Sequence, residues 1–384
     1  MKIVCAQSVL AAREAFSTVG QTVVLPDRRI GRDDVLDADA LVIRSKTRVT
    51  HDLLDGTRLA FVGTATAGFD HIDTLACAEH DVAWTAAPGC NAESVADYAT
   101  AALLVWSLRR GRPLGGLCIA VIGVGQVGSR VVRRAEALGL RPLLNDPPRA
   151  LAERDPVFRN LDEILPQADV VTLHVPLTDE GPFATRRMVD CRFLARLKPG
   201  ALFINASRGE VVDESALHLA LDGGQVSDIV LDVWDREPDI DARLLDRALI
   251  ATPHIAGYSW DGKLAGTAQI YRALCGFFEV EPRWDPASVE PRARPPAAVV
   301  HAAGRPDEAV LSDMVRSTYD IEADDRALRG LGAPEGESLP ERFERLRKTY
   351  PVRREFPAAR VEVIGASDRL LRRAAGLGFR VPLP

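Results

Sequence analysis

The run Cys118-Ile119-Ala120-Val121-Ile122-Gly123-Val124-Gly125-Gln126-Val127-Gly128 places five apolar residues directly before a GxGxxG pattern. A continuous apolar pentad suits a strand buried on both faces of a parallel sheet, and Val131 and Val132 continue the pattern with helical spacing. In a strand–turn–helix of this kind each glycine has its own task. Gly123 makes the tight turn, Gly125 lets the backbone approach a pyrophosphate, and Gly128 lets helix and strand pack closely. The pyrophosphate then sits at the helix N-terminus, where unpaired N–H groups and the dipole favour negative charge. Asp146 ends the next predicted strand, about 20 residues on, where a carboxylate accepts the ribose hydroxyls and repels a 2′-phosphate. The stretch predicts a dinucleotide site that prefers NAD to NADP.

The same alternation of strand and helix extends on both sides. Downstream, strands are expected at Leu143–Asn145, Val170–His174, Leu202–Asn205, Val230–Val233 and Leu249–Ala251. Upstream, Ile3–Cys5, Val23–Leu25, Ala40–Ile43 and Leu59–Val62 read as buried strands, with a helix over Val9–Val19. Asn91–Leu108 and Trp260–Phe278 read as long helices, the second able to return the chain to the first domain. Pro282–Pro296 shifts to Pro, Arg and Glu and reads as a linker. Beyond it, a strand at Val299–His301, a helix from Asp307 to about Ile321, a strand at Val361–Ile364 and a helix over Asp368–Ala375 suggest a small α+β appendage.

The 384 residues carry 48 Lys+Arg against 54 Asp+Glu, a net charge of −6, so no general basic face for nucleic acid or a membrane surface is expected. The six cysteines lie far apart without a CxxC pair, which speaks against structural zinc and for a reducing, cytoplasmic setting. No apolar run reaches the ~18 residues of a membrane span.

Three later strands end in chemically active residues. Asn205-Ala206-Ser207-Arg208-Gly209, Asp232-Val233-Trp234-Asp235-Arg236-Glu237-Pro238 and Pro253-His254-Ile255-Ala256-Gly257-Tyr258 all fall where ligands bind in open α/β sheets. Arg208 suits a bidentate grip on a carboxylate, His254 suits taking a hydroxyl proton, and Glu237 suits orienting the His. That set fits hydride transfer from a 2-hydroxy acid.

These motifs resemble the D-isomer-specific 2-hydroxyacid dehydrogenase family, and the likeness to one branch of it extends over essentially the whole chain. Besides the glycine loop, the NASRGEVVD segment, the Glu before Pro238 and the Pro253-His254 pair, the resemblance rests on Arg44-Ser45, Thr47-Arg48, Val62–Gly68 with Asp70-His71, Ala87–Ala92 and Asp146–Ala150. Leu346-Arg347-Lys348, Tyr350 and Arg353-Arg354-Glu355 belong to an appendage that most of the family lacks.

The resemblance implies a flavodoxin-like substrate (lid) domain over 1–110 and 257–281, a Rossmann-type doubly wound NAD domain over 111–256, and a C-terminal α+β dimerisation domain over 282–384. It implies Arg208, Glu237 and His254 as catalytic residues, and substrate contacts from Ser45, Thr66 and Tyr258. NAD contacts would come from Gly123, Gly125, Gln126, Val127, Gly128, Asp146, Val175, Ala206, Ser207, Arg208, Asp232 and Gly257, and no metal is expected. Val175 stands where relatives often have a hydroxyl, and Ala265 where a basic residue is expected.

The substrate that the resemblance implies is a small phosphorylated hydroxy acid. Ala65–Gly68 offers backbone N–H groups for its carboxylate, and Arg44, Lys46 and Arg48 crowd a strand end where a phosphate would fit. Of the C-terminal cations Arg345, Arg347, Lys348, Arg353 and Arg354, Arg347 is the candidate for the phosphate, the rest being solvated or paired with Glu341, Glu344 and Glu355. The competing readings are an enzyme acting on another D-2-hydroxy acid and a non-catalytic NAD-sensing corepressor on the same fold.

Overall fold

The structure, a computed structural model, describes residues 1–290 and 297–382. Packing divides the chain into two units, residues 1–92 with 258–293 and residues 93–257 with 294–384.

The first unit is built on five strands, β1 (Lys2–Ala6), β2 (Gln21–Leu25), β3 (Ala40–Ile43), β4 (Phe61–Thr64) and β5 (Ala83–Ala86). They form one wholly parallel sheet in the order β2-β1-β3-β4-β5. That 2-1-3-4-5 order is the flavodoxin-like winding, and the apolar runs of β1 and β3 are buried on both faces, as their unbroken hydrophobicity requires. The Trp260–Phe277 helix returns to this sheet. It lies so close to β4 that a Cβ on Gly63 would stand 2.4 Å from Ile270 Cγ2.

In the second unit, β6 (Cys118–Ile122), β7 (Arg141–Asn145), β8 (Val170–Leu173), β9 (Ala201–Asn205), β10 (Val226–Leu231) and β11 (Ile250–Ala251) form a parallel sheet ordered β11-β10-β9-β8-β6-β7. The winding reverses between β6 and β8, which is the topological switch point of a doubly wound sheet. The Ala92–Arg110 and Gln126–Ala137 helices cover one face, with Tyr98, Ala102, Trp106, Val121 and Val131 buried in one core.

The C-terminal region is a two-stranded parallel sheet of β12 (Ala297–His301) and β13 (Arg360–Ile364) with helices at Asp307–Thr318, Ile321–Leu328, Leu339–Lys348 and Asp368–Gly376. It is not a separate globule. Val310, Leu311, Met314 and Leu370 lie in the same core as Val121 and Ala135, while Leu328 and Phe343 join the core that holds Trp234. Glu308 accepts the Leu114 N–H at 3.0 Å, and Arg373 donates to the carbonyls of Ala137 and Leu138.

Several sequence expectations shift. The Ala92–Arg110 helix packs with the second unit, so the first boundary falls at 92/93 rather than 110, and the last region is joined to the nucleotide-binding sheet by a shared core. The first helix shortens from Val9–Val19 to Ala12–Phe16. The helix expected to run from Asp307 to Ile321 ends at Thr318, because the Asp320 carboxylate caps a new helix through the Ala323 N–H. The Leu339–Lys348 helix, which the sequence reading did not include, opens on a capping box of Ser338 with Glu341. β5 was not anticipated. In the linker, residues 291–296 lie outside the described residues.

Met314→Ala empties a fully buried site between the appended helices and the nucleotide-binding core. It should cost about 2–5 kcal/mol and lower the melting transition of the whole second unit in calorimetry. A small separate transition lost while the main one stays put would contradict the shared core.

Candidate active site

The glycine loop has the geometry that its three tasks demand. Gly123 has φ +82, and a Cβ there would stand 2.8 Å from the carbonyl of His174. Gly125, the N-cap of the Gln126–Ala137 helix, has open space where a Cβ would be. At Gly128 a Cβ would lie 2.0 Å from the Gly123 carbonyl oxygen, so only glycine lets helix and strand approach this far. Asp146, at the end of β7, accepts the Val124 N–H at 2.8 Å with one oxygen and caps the next helix through the Arg149 N–H with the other. A cavity of about 460 Å³ opens beside these residues, lined by Gly123, Asp146, Val175, Pro176 and Leu161 among others. It is largely apolar and flanks the switch point, where a flat aromatic base would be buried.

The three chemical loops follow β9, β10 and β11. After β9, Asn205 is buried and organises its own turn: its Oδ1 accepts the Ser207 N–H and hydroxyl at 3.0 and 2.8 Å, and its amide donates to the Arg208 carbonyl. That turn presents Arg208. Gly209 beside it is indispensable for packing, since a Cβ there would stand 2.0 Å from the Trp234 carbonyl. After β10, Glu237 Oε1 accepts the Trp234 N–H at 3.1 Å, and Glu237 Oε2 lies 2.8 Å from His254 Nδ1. Burial pushes the Glu237 carboxyl up, but the facing His254 ring, the Arg347 guanidinium and the Trp234 N–H together hold it below the ordinary carboxylate range.

His254 itself has φ +55, a left-handed conformation that a non-glycine residue holds only where its surroundings enforce it. Asp232 does the enforcing. Its Oδ1 accepts the Thr252 hydroxyl at 2.7 Å and the Ile255 N–H at 2.8 Å, and its Oδ2 accepts the Ala256 N–H at 2.9 Å. Asp232, expected among the NAD contacts, is thus the anchor of the His254 loop. With Nδ1 held by Glu237, Nε2 is the ring atom left for chemistry.

Ser45, Thr66 and Tyr258 all lie in the first unit. Ser45 is in the turn after β3, and Thr66 follows β4 with its hydroxyl bonded to Thr64 Oγ1 and the Gly68 carbonyl at 2.7 and 2.8 Å. Tyr258 lies beneath two cations, Lys263 Nζ at 4.7 Å and the Arg44 guanidinium at 5.9 Å from its ring centre.

The C-terminal cations are not one surface patch. Arg345 pairs with Glu337, while Glu341, offered as a partner, caps its own helix. Arg353 is buried, its guanidinium donating to Ser94 and to the Ala256 carbonyl, and it stacks 4.2 Å over the Tyr319 ring. Arg347 Nη1 lies 3.7 Å from Glu237 Oε2. Sequence reasoning missed Trp234, Thr252, Tyr98 and Arg353. Tyr98 and Thr252 share a 2.8 Å hydrogen bond, and Trp234 Nε1 donates to the Thr252 carbonyl. Each is a support that only the fold brings to the site. No group of described His, Cys, Asp and Glu side chains could hold a metal ion.

Residues 105–256 match the D-isomer specific 2-hydroxyacid dehydrogenase, NAD binding domain, and residues 293–376 match a domain of unknown function. The erythronate-4-phosphate dehydrogenase of Edwardsiella ictaluri is 43% identical over 99% of this chain and 100% of its own length. That of Cronobacter sakazakii is 43% identical over 94% of each. Among solved structures, the D-lactate dehydrogenase of Aquifex aeolicus, complexed with NAD and lactic acid, superposes with a TM-score of 0.59 at 26% identity, covering 72% of this chain and 95% of that one. The NAD-bound 3-phosphoglycerate dehydrogenase of Entamoeba histolytica shares the fold, with a TM-score of 0.63 at 23% identity over 74% and 98%.

Gly209→Ala drives a methyl into the backbone of Trp234 and should force the loops after β9 and β10 apart. The expected cost is about 1–3 kcal/mol in urea unfolding. An unchanged midpoint would show that these loops do not meet in this way.

Proposed function

Because the chain belongs to the erythronate-4-phosphate dehydrogenase family, within the D-isomer-specific 2-hydroxyacid dehydrogenases, we propose that it oxidises 4-phospho-D-erythronate to 2-oxo-3-hydroxy-4-phosphobutanoate. The observation that carries this reading is the 2.8 Å Glu237–His254 pair at the carboxyl end of the sheet that bears the glycine loop. In this proposal the step belongs to pyridoxal 5′-phosphate (vitamin B6) biosynthesis, as the sequence resemblance implies.

NAD fits this chain: the open position at Gly125, the Asp146 carboxylate and the apolar cavity beside Val175 suit its pyrophosphate, ribose and adenine. When bound, NAD supplies the acceptor for the hydride leaving C2. Gln126, Val127, Ala206, Ser207 and Gly257 complete the cofactor assignment. The chain's own residues handle the proton and the charge. His254 Nε2 takes the C2 hydroxyl proton, the Glu237 carboxylate holds the ring's other nitrogen and orients it, and Arg208 grips the substrate carboxylate. Ser45, Thr66 and Tyr258 are the first unit's substrate contacts in this proposal. A corepressor role is disfavoured by the intact and oriented pair of Glu237 and His254.

The six cysteines form no disulfide, which supports the cytoplasmic setting, and among the described residues no helix is long and apolar enough to cross a membrane. A homodimer formed through the C-terminal region completes the proposal. Its support is the two-stranded sheet of β12 and β13, where Val299 and Ile364 remain 56% and 44% exposed.

Two measurements test these statements. NADH absorbance with 4-phosphoerythronate should rise in preference to 3-phosphoglycerate, and His254→Ala should lose about 10²–10⁴-fold in kcat with NAD binding retained. No turnover of any hydroxy acid by the intact protein, with NAD still bound, would favour the corepressor reading. For the dimer, Val299→Glu should give monomers in sedimentation. This point change is cleaner than truncation at Pro282, which would strip Met314 and its neighbours from the second unit's core.

A further inference from the structure

We propose that Arg347, supplied by the appended C-terminal region of the same chain, is a positioning residue for proton transfer that acts through Glu237 on His254. The inference deepens the function proposed above and rests on His254 being the proton acceptor.

The geometry is specific about which oxygen is involved. Glu237 Oε1 is tied to the Trp234 N–H at 3.1 Å. Glu237 Oε2 is shared: His254 Nδ1 lies 2.8 Å from it and Arg347 Nη1 lies 3.7 Å from it. His254 and Arg347 therefore draw on the charge of one oxygen. The charged groups facing Glu237 are His254 from the loop after β11 and Arg347 from the Leu339–Lys348 helix, with Asp235 and Arg236 adjacent on its own loop.

The helix is fixed in a way that aims Arg347. Phe343, fully buried in the core with Trp234, lies 5.7 Å beneath the Arg347 guanidinium. Arg342 and Arg345, on the same helix, are neutralised by Glu337, whereas Arg347 is directed at Glu237 and is only 14% exposed. A second arginine of the same region, Arg353, bonds the carbonyl of Ala256, two residues past His254. One appended segment thus supports the Glu237–His254 pair from the carboxylate side and from the loop side.

The consequence for the proton has a definite sign. A guanidinium stays charged throughout the working pH range and offsets part of the Glu237 charge. The carboxylate still orients the ring, while part of its charge is answered by Arg347. Without Arg347 the whole charge of the Glu237 oxygen faces His254, and the acid limb of oxidation should move to higher pH. Removing Glu237 does the opposite.

The experiment is the pH profile of kcat/KM for oxidation by the full-length enzyme. Glu237→Gln should move the acid limb down and Arg347→Gln should move it up, each by about half a pH unit or more. Arg347→Lys should restore most of the wild-type profile, and in a Glu237→Gln background the Arg347→Gln shift should shrink. Arg347→Met, which keeps the packing on Phe343, replaces Arg347→Gln if that variant does not fold by circular dichroism. An Arg347→Gln profile that superimposes on wild type overturns the inference, and a raised KM for 4-phosphoerythronate alongside it would assign Arg347 to the substrate phosphate instead. Failure of the functional reading is distinct: wild-type protein would then not turn over this substrate at all, or His254→Ala would match it.

Discussion

The 2.8 Å contact between Glu237 Oε2 and His254 Nδ1 joins two loops that leave different strands, and much of the second unit serves to keep it. A hydrogen bond of this kind tolerates little displacement, because it weakens steeply as distance and angle depart from their optimum. Neither loop is rigid by itself. The loop after β10 is fixed by the Trp234 N–H on Glu237 and by Gly209, whose missing side chain lets the preceding loop close against Trp234. The loop after β11 is fixed by Asp232, whose two oxygens take three donors and hold His254 in its left-handed backbone conformation. Parallel β9, β10 and β11 set the register in which those loops start.

Burying such polar groups is costly unless each finds a partner, and here the partners form a connected set. Thr252 links Asp232 to Tyr98, and its carbonyl takes the Trp234 indole N–H. Ser94, at the start of the same long helix as Tyr98, donates to the Ala256 carbonyl at 2.7 Å, and Arg353 meets both of these groups. Arg353 in turn lies near Asp97 and Asp324, two carboxyls that burial pushes up to about 6 despite the arginines beside them. A fixed cation at this point offsets charge that would otherwise be stranded in the interior.

The sequence made part of this legible and left part hidden, for physical reasons. The glycine loop, Asp146 and the strand-end positions of Arg208, Glu237 and His254 are local patterns: spacing and residue type carry the information, and the structure places the six strands of the second sheet within a few residues of the expectation. The supports are different. Trp234 and Tyr98 look like ordinary core aromatics, and Arg353 looks like one more arginine in a basic run, until the fold brings its guanidinium against Ala256. Nothing in a one-dimensional pattern says that a residue a hundred positions away fills a carbonyl. The boundary expected at 110 falls at 92/93 for a related reason. Composition shifts at Pro282, yet Trp284 packs on the first unit's core, and only tertiary packing shows that Val310, Met314 and Leu370 share a core with Val121.

That shared core changes what the C-terminal region means. A domain joined to an enzyme only by a flexible linker adds an interface or a ligand and leaves the chemistry alone. Here the Asp325 carboxylate accepts the Ala251 N–H of β11 at 2.8 Å, and Arg329 donates to the carbonyls of Leu245 and Ala248 just before that strand. β11 is two residues long and sits at the edge of its sheet, paired only to β10. An edge strand this short has few hydrogen bonds of its own, so bonds from outside the sheet count heavily in holding it. Since His254 follows β11 by three residues, the region that steadies the strand also steadies His254. The appended segment is therefore part of the scaffold that holds the Glu237–His254 pair in its own chain, whatever else its outer face binds.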